Sequence, residues 1–334
     1  MNLNCISIND CKVISHYKKI KFMFETGKVP TPIKLELDLA DGFCNNKCPH
    51  CYYSTNIKNT PVFLDVKIAK KTINVLAENG LKSLELSGGG EPTTHEGICE
   101  IIQYAYNKGL DIGIITNGLL LDKLTNIADK LSYIRISLDA GSQDIYKKVH
   151  GINAFSTVIK NLSILKNHTS IKKISIAYLI LDSNLNDILP AVKISKKIGC
   201  SSINFRPVID LSPEIWFEAK QKITGALNTQ DNNFKVFYSE QSNPIENYSK
   251  GCKTSPLATV VQANGDIALC ASKRNQKNFI IGNIFDGGFF KHWGSSKHWD
   301  LIKNVDSSHC RDSCKFSKYN IIYDAYCKIN SNFI

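Results

Sequence analysis

The sequence predicts an α/β fold, namely a partial (β/α)6 TIM-like barrel followed by a small C-terminal module built on a β-hairpin. The first observation is that short apolar segments alternate with amphipathic helical segments over residues 33–207, which is typical of βαβ units with parallel strands. The second is their number, because six units are fewer than the eight of a closed barrel and leave it open. The third is an Asn264-Gly265 turn between two apolar runs, which predicts a hairpin beyond the barrel.

Each strand is predicted where apolar and polar residues alternate, or where a short apolar run lies between turn residues. The barrel strands are expected at 34–40, 83–86, 111–116, 133–138, 173–180 and 202–207, and the hairpin strands at 259–262 and 266–270. Helices are predicted from apolar residues three and four positions apart, and three of them end at a glycine. They are expected at 64–79 and 96–108, between Gly118 and Lys130, and at 156–166, 185–198 and 215–227.

The chain is therefore expected to have four parts. These are an N-terminal extension (1–32), the barrel (33–207), a polar connection with one helix (208–250) and the C-terminal module (251–334). Chemistry is expected at the carboxyl ends of the barrel strands, where folds of this class hold their active sites.

Composition excludes several classes of protein. The chain is 43% apolar and 21% charged, which suits a globular protein with a large core. No apolar run approaches the roughly 20 residues that cross a bilayer, and the N-terminus lacks the apolar segment of a signal peptide, so we expect a cytoplasmic protein without a membrane partner. The net charge of +11 comes mostly from scattered lysines without interleaved aromatic residues, so nucleic acid is not expected as a partner.

The distribution of the 12 cysteines indicates metal binding, because clustered cysteines in a reducing compartment are more often metal ligands than disulfides. Cys44, Cys48 and Cys51 lie on the loop after the first strand. Three thiolates can hold three irons of a cubic iron–sulfur cluster and leave the fourth open to a substrate or cofactor. The alternative is a structural zinc site with His50 as the fourth ligand, although an approach from beside Cys51 to the same ion would be strained.

Two motifs together resemble the radical S-adenosylmethionine (radical SAM) enzymes. They are Cys44-Asn-Asn-Lys-Cys48-Pro-His-Cys51 and Ser87-Gly-Gly-Gly-Glu-Pro92, at the ends of the first two predicted strands. The resemblance implies that the three cysteines hold a 4Fe-4S cluster with SAM on its open iron. It also implies that an electron from an external donor, of the flavodoxin or ferredoxin type, cleaves SAM to methionine and a 5′-deoxyadenosyl radical, which takes a hydrogen atom from the substrate.

The same resemblance implies which residues contact SAM. The ammonium group of methionine is expected to donate to the second motif, at Gly89, Gly90 and Glu91, and the ribose to contact Ser137 and Asp139 on the fourth strand. The carboxylate is expected to contact Arg206 on the sixth strand, and adenine to lie beside the last cysteine, near His50 and Tyr52. His50 stands where the family usually has an aromatic residue. Ser137 is otherwise an ordinary strand residue, and Arg206 alternatively serves the substrate.

The C-terminal cysteines resemble the Twitch and SPASM modules of this family, which carry auxiliary iron–sulfur clusters. The resemblance rests on the Gly265-x4-Cys270 spacing, and a full SPASM module uses more cysteines than the five present here, so one auxiliary cluster is expected. Its expected ligands are Cys252, Cys270, Cys310 and Cys314. Cys327 is an alternative ligand or a thiol that donates a hydrogen atom to a substrate radical. A zinc-stapled or metal-free hairpin domain is the alternative to the cluster.

The expected activity is hydrogen abstraction from a small polar metabolite such as a sugar, cyclitol or nucleotide derivative, with the auxiliary cluster assisting oxidation or electron transfer. Peptide-modifying members often carry a separate leader-binding domain, whereas only 33 residues precede the first strand here. The first alternative is a maturase of ribosomal peptides or proteins, acting as an epimerase, cross-linker or thioether former. The second is a non-enzymatic iron–sulfur or zinc-binding protein.

Overall fold

A computed structural model of the chain describes residues 10–51, 60–168, 171, 173–208, 211–239, 251–306, 310 and 314–328. Twelve strands are found among these residues. They are β1 (Lys34–Asp38), β2 (Ala40–Asp41), β3 (Val62–Phe63), β4 (Ser83–Ser87), β5 (Asp111–Thr116), β6 (Tyr133–Ser137), β7 (Ile174–Ile180), β8 (Ser202–Pro207), β9 (Lys235–Tyr238), β10 (Ala258–Val261), β11 (Asp266–Ala268) and β12 (Ile280–Asn283).

Ten α-helices accompany the strands within the same described ranges. They are α1 (Tyr17–Thr26), α2 (Val66–Glu78), α3 (Ile98–Asn107), α4 (Gln143–His150), α5 (Phe155–His168), α6 (Ile188–Ile198), α7 (Pro213–Leu227), α8 (Phe289–His292), α9 (Ser296–Asn304) and α10 (Lys315–Lys328). In this part of the chain, no helix is long and apolar enough to span a membrane.

One large sheet confirms the predicted α/β fold class. The described strands lie in the order β12-β11-β10-β1-β4-β5-β6-β7-β8-β9, and all neighbours from β10 to β9 are parallel. The six predicted barrel strands are confirmed as the centre of this sheet. The predicted hairpin is confirmed as the antiparallel pair β10 and β11.

The two edges of the sheet were not predicted. β9, from the polar connection, pairs with β8, and β10, from the C-terminal module, pairs with β1. The module therefore extends the barrel sheet directly. The division of the chain into four parts remains a proposal.

Strand alternation separates an apolar face from a polar lumen, because successive side chains of a strand point to opposite faces. The apolar set on the central strands is at most 1% exposed and packs under the helices; it includes Leu35, Leu37, Leu84, Leu86, Ile112, Ile114, Ile134 and Ile136. Burial of each such side chain contributes about 1.5–3 kcal/mol. The intervening positions are Glu36 and Asp38 of β1, Glu85 of β4 and Arg135 of β6.

The helix predicted between Gly118 and Lys130 is wrong. This segment contains two short 3-10 helices, Leu121–Leu124 and Ala128–Lys130. Leu121 and Leu124, both fully buried, stand three residues apart, which is the repeat of a 3-10 turn. The apolar spacing that suggested an α-helix is therefore served by two tighter turns.

A second apolar core joins the two ends of the described chain. It brings α1 and the preceding turn against α9 and α10, and its buried members are Val13, Ile20, Met23, Leu257, Ile302, Tyr319, Ile322 and Tyr323. An ion pair of 2.5 Å between Lys253 and Asp324 borders it. This core fixes α10 and the cysteines near its N-terminus against the module.

Candidate functional site

The two sequence motifs meet at the carboxyl ends of β1 and β4. The backbone N–H of Glu91 donates to the carbonyl oxygen of Phe43 at 3.0 Å, which ties the second motif to the residue before Cys44. A β-carbon built on Gly90 would lie 2.2 Å from the same oxygen. Only glycine allows this approach, so the Gly90 position is explained by contact between the two loops.

The structure brings the three motif thiols together. The pKa of Cys48 is raised to about 12, mainly by burial and further by the negative charges of Asp139, Cys44 and Cys51. The sulfur of Cys44 accepts from the backbone N–H of Asn46 at 3.4 Å and lies 3.8 Å from the amide nitrogen of Asn117. Hydrogen bonds to sulfur are a usual feature of iron–sulfur sites.

The donor set fits a cluster with one open iron. Three thiols are present on one loop, as predicted. Among the described residues, no three His, Cys, Asp or Glu side chains are spaced to hold a single metal ion. The thiolates of a cluster bind separate iron atoms and need not converge on one point.

His150, which sequence reasoning missed, holds the cysteine loop against the barrel. Its Nε2 lies 2.9 Å from the carbonyl oxygen of Leu138, so this nitrogen carries the hydrogen. Its Nδ1 then accepts, and it faces the amide nitrogen of Asn46 at 3.2 Å and the sulfur of Cys48 at 3.1 Å. Burial lowers the pKa of His150 to about 4, so the ring is neutral.

The backbone around His150 reinforces this contact. The carbonyl oxygen of His150 accepts from Lys47 N–H at 2.9 Å. Gly151, at a φ of +70°, ends α4, and a β-carbon there would lie 2.4 Å from the carbonyl oxygen of Lys47. In the sequence, Gly151 after His150 could have indicated the end of a helix. No regular spacing relates these two residues to the cysteines, so their contact with the cysteine loop could not be predicted.

Glu91 is buried and surrounded by donors. Its Oε1 accepts from the backbone N–H of Thr93 at 3.0 Å and from the hydroxyls of Thr93 and Thr116, each at 2.6 Å. Its Oε2 accepts from the backbone N–H of Asn117 at 2.8 Å and keeps a second lone pair. Burial raises the pKa of this carboxyl, while these hydrogen bonds lower it. Oε2 is therefore the atom able to accept from an ammonium group.

The expected ribose residues differ in their surroundings. Asp139, at a φ of +52°, is buried, and its Oδ1 accepts from the backbone N–H of Leu179 at 2.6 Å while its Oδ2 lies 3.5 Å from Nε2 of His150. Burial raises its pKa to about 6. Its carboxylate thus braces β7 and His150. Ser137 is half-buried at the end of β6, and its hydroxyl has no hydrogen-bond partner among the described residues.

The residues expected beside adenine are described only in part. His50 is half-buried, its ring centroid lies 6.4 Å from that of His150, and burial lowers its pKa. Tyr52 lies outside the described residues. Phe43 and Phe63 form an exposed aromatic pair, 5.8 Å between centroids, beside the same loop.

The lumen below the site is polar and charged. Arg206 is exposed, yet partial desolvation and the charge of Arg135 lower its pKa, whereas the charge of Glu85 raises it. Glu85 accepts from the hydroxyl of Tyr133. The amide oxygen of Asn204 is buried, and within the described ranges it has no hydrogen-bond partner. These groups can bind a polar part of a substrate.

Four C-terminal thiols also gather. The pKa of Cys270 is raised to about 12 by burial and then by Cys252, Cys314 and Cys310. That of Cys310 is raised to about 11 by burial and then by Cys314 and Cys252. The sulfur of Cys252 accepts from the amide of Asn320 on α10 at 3.3 Å.

Cys327 lies apart from these four thiols. It is exposed near the C-terminal end of α10, where its sulfur interacts with the hydroxyls of Tyr17 and Tyr323. The thiol interactions of Cys252, Cys270 and Cys310 do not include it. The thiols that lie together are therefore those of Cys252, Cys270, Cys310 and Cys314, and the role of Cys327 stays a prediction.

A family model described as the radical SAM superfamily matches residues 42–194. The chain is 24% identical over 318 residues to the antilisterial bacteriocin subtilosin biosynthesis protein AlbA of Bacillus subtilis (strain 168), covering 88% of this chain and 67% of AlbA. It is 22% identical over 314 residues to the mycofactocin maturase MftC of Mycobacterium tuberculosis (strain ATCC 25618 / H37Rv), covering 87% and 77%. A probable GTP 3′,8-cyclase of Metallosphaera sedula is 30% identical over 176 residues, which are 51% of this chain and 53% of the cyclase.

The fold recurs in a solved structure. The crystal structure of Streptococcus suis SuiB bound to precursor peptide SuiA matches with a TM-score of 0.70 at 16% identity, covering 92% of this chain and 77% of SuiB. At this identity the likeness concerns the fold alone.

Proposed function

We propose that this chain, a radical SAM enzyme with the family's domain at residues 42–194, modifies a peptide or protein. The observation that carries the proposal is the reach of its similarity to AlbA and MftC, which extends over 88% and 87% of the chain. Their names are those of a bacteriocin biosynthesis protein and a maturase. Spans of this length extend well beyond residues 42–194 and include Cys252 and Cys270 of the C-terminal module.

A small metabolite, the substrate expected from the sequence, has narrower support. The GTP cyclase matches over 51% of this chain, a length little greater than that of the family domain. That match is explained by the shared domain, without a shared substrate. The non-enzymatic alternative is set aside because the chain is a radical SAM enzyme.

Two sets of cysteines are assigned by this proposal. Cys44, Cys48 and Cys51 hold the cluster that binds SAM, and the four gathered C-terminal thiols hold one auxiliary cluster. Their proximity supports the second assignment, because burial and then the negative charge of Cys314 raise the pKa values of Cys252, Cys270 and Cys310. Both clusters need thiolates, so the irons must compensate this repulsion when they bind.

The cluster and SAM, when bound, supply reductive cleavage of SAM and a radical able to abstract hydrogen. The chain's own residues then bind and orient. Oε2 of Glu91 can accept from the methionine ammonium, and His150 holds the loop that carries Cys48 through its contacts with Asn46 and Lys47. A substrate side chain entering from the strand ends meets Arg206, Arg135 and the amide oxygen of Asn204.

The electron comes, in this proposal, from an external donor of the flavodoxin or ferredoxin type. Lys47, Lys147 and Lys148 are exposed, and the contact between Lys47 and His150 puts the cysteine loop next to the end of α4. An acidic donor protein would be attracted to these lysines. The chain's overall charge of +11 has the same sign.

The test is co-expression with each short peptide encoded beside its gene, followed by mass spectrometry of the peptide. We expect a mass change of a peptide with the wild type and none with the Cys44→Ala/Cys48→Ala/Cys51→Ala variant. A Cys200→Ala variant is the matched control, because Cys200 is buried in the apolar core far from either set of cysteines in sequence. If the reconstituted wild type converts GTP or a nucleotide sugar and leaves every peptide unchanged, the proposal is wrong.

A further inference from the structure

A buried ion cluster joins the C-terminal module to the floor of the SAM site. Its centre is Arg274, only four residues after Cys270 in the sequence and 8% exposed in its side chain. Its partners come from β1 and β4, more than 180 residues earlier. No sequence motif predicted a role for this residue.

The guanidinium of Arg274 makes contacts in several directions. Its Nε donates to Asp38 at 2.9 Å from Oδ2 and 3.2 Å from Oδ1, and its Nη2 donates to Glu36 Oε2 at 2.7 Å and to Ser87 Oγ at 3.2 Å. Its Nη1 also reaches back to the carbonyl oxygen of Ala271 at 3.4 Å. One planar fork thus binds both strands and its own loop.

The partners lie next to the two motifs of the SAM site. Asp38 ends β1, six residues before Cys44, and Ser87 is the first residue of the Ser-Gly-Gly-Gly-Glu motif. A β-carbon on Gly88 would lie 2.6 Å from the carboxyl carbon of Asp38, so Asp38 packs directly on that motif. Arg274 therefore touches the supports of both motifs.

The loop between Cys270 and Arg274 is short and held at several points. Lys273 N–H donates to the carbonyl oxygen of Cys270 at 3.0 Å, and Asn275 N–H donates to Gln262 Oε1 at 3.0 Å. Asn275 has a φ of +59°, which marks a tight turn directly after Arg274. Displacement of Arg274 would therefore move Cys270.

Burial makes this bridge specific for arginine. Asp38 is 1% exposed, and burial raises its pKa to about 7 although Arg274 lowers it. Glu36 also has Lys34 at 2.5 Å, and despite burial the two cations lower its pKa to about 2. Removal of one partner of a buried ion pair is strongly destabilising, because it leaves a charge without compensation. Of the two cations Lys34 and Arg274, only Arg274 pairs with Asp38, so the charge of Asp38 is compensated by Arg274.

We infer that Arg274 is a positioning residue that fixes the auxiliary cluster, through the Cys270 loop, at a set distance from the SAM cluster. The inference rests on the auxiliary cluster of the proposed function. The bridge matters because a displacement of about 1 Å at a distance from the chemistry can lower a rate about 100-fold. A lysine would keep the charge but lose the fork that binds two strands at once.

The test compares the anaerobically reconstituted wild type with Arg274→Lys and Arg274→Met variants. The readouts are iron per chain, the electron paramagnetic resonance of the reduced protein and hydrogen exchange over residues 268–276. In Arg274→Met we expect the SAM-cluster signal to persist, the auxiliary signal to be lost or altered, and exchange to be at least about tenfold faster, since one lost charged hydrogen bond contributes about 1.5–3 kcal/mol. Arg274→Lys should be intermediate.

Two further variants complete the design. Lys291→Met removes an exposed ion pair with Asp286 on the same module and should leave all three readouts unchanged. In Arg274→Met/Asp38→Asn the uncompensated carboxylate is absent, so the chain can fold while the bridge remains broken, and the altered auxiliary signal should persist.

The outcomes distinguish the two proposals. A wild type with about four irons per chain, one cluster's content, rejects the auxiliary cluster and this inference with it. A wild type with about eight irons, whose Arg274 variants keep its auxiliary signal and its exchange rates, rejects the inference alone.

Discussion

At the scale of single residues, the candidate site is built by side chains that hold one another. Glu91 accepts from Thr93, Thr116 and Asn117, and Asn117 in turn donates to Asn45 at 2.6 Å beside Cys44. The motif carboxylate is thereby fixed in direction before any ligand arrives. The sequence indicated Glu91 and located Thr116 and Asn117 at the end of a predicted strand, but it did not relate them to Glu91, since that contact forms only when β5 lies beside β4.

His150 leads to the first prediction. In His150→Ala the loop loses its contacts with Leu138, Asn46 and Cys48, so we expect the chain to lose at least half of its SAM-cluster iron and about 1–3 kcal/mol of unfolding free energy. His150→Gln keeps a donor for Leu138 and an acceptor for Asn46, and should retain most of the iron. Iron analysis after gel filtration measures this effect. Wild-type iron in the alanine variant would show that the loop does not depend on the ring.

His298 gives a prediction on pH. It is fully buried on α9, its Nδ1 accepts from Gly294 N–H at 3.0 Å, and burial lowers its pKa to about 3. The unfolded chain binds a proton at this residue below about pH 6.5, whereas the folded chain does not, so acid lowers stability. Between pH 6.5 and pH 5 this histidine should remove about 1.5 kcal/mol of unfolding free energy.

The matched variant for this prediction is His298→Asn, whose side-chain oxygen can still accept from Gly294. Urea unfolding of both proteins at the two pH values isolates the residue. The pH-dependent loss should be smaller in the variant by the amount stated. Equal losses in the two proteins would mean that His298 is protonated in the folded chain.

At the scale of elements, contact between loops explains what the alternation of strands and helices did not. The spacing of apolar residues was sufficient to locate six strands, because each buries one face under helices. It failed between Gly118 and Lys130, where i and i+3 apolar residues fit 3-10 turns as well as a helix. β9 and β10 could not be assigned to the barrel sheet, since pairing with β8 and β1 depends on distant parts of the chain.

Gly90 gives the prediction at this scale. In Gly90→Ala the added carbon would lie 2.2 Å from the carbonyl oxygen of Phe43, so the two motif loops must separate. We expect at least about 2 kcal/mol lower unfolding free energy and loss of SAM-cluster iron. Gly225→Ala, in the interior of α7 with no atom within 4 Å of the added carbon, should instead be stabilised by about 0.5–1 kcal/mol. Similar unfolding energies for the two variants would contradict the close contact.

At the scale of the whole molecule, one sheet connects two sets of cysteines. The spacing of the first set was enough to predict that its thiols lie together, because its three members are on one loop. The second set was predicted as four residues but spans Cys252 to Cys314, and only packing of α10 on the module brings those thiols together. The bridge through Arg274 was beyond sequence reasoning, since nothing local distinguishes it from a surface arginine.

Removal of single cysteines tests this organisation. Cys252→Ala and Cys270→Ala should each lower iron from about eight to about four atoms per chain, whereas Cys327→Ala should keep the full amount. The reason is that Cys327 lies beside Tyr17 and Tyr323, apart from the four gathered thiols. Iron and sulfide analysis of anaerobically reconstituted protein provides the measurement. A loss of about four irons in Cys327→Ala would require a different ligand set.

The most direct test of the central claim follows a hydrogen atom. A peptide encoded beside the gene is produced in deuterated form and incubated with the reconstituted wild type, SAM and dithionite. The mass of the 5′-deoxyadenosine that forms is then measured by mass spectrometry. We expect 5′-deoxyadenosine heavier by about one mass unit, because the hydrogen abstracted comes from the peptide, and no such product with the Cys44→Ala/Cys48→Ala/Cys51→Ala variant. Unlabelled 5′-deoxyadenosine from every deuterated peptide, together with labelled product from a deuterated nucleotide or sugar, would contradict it.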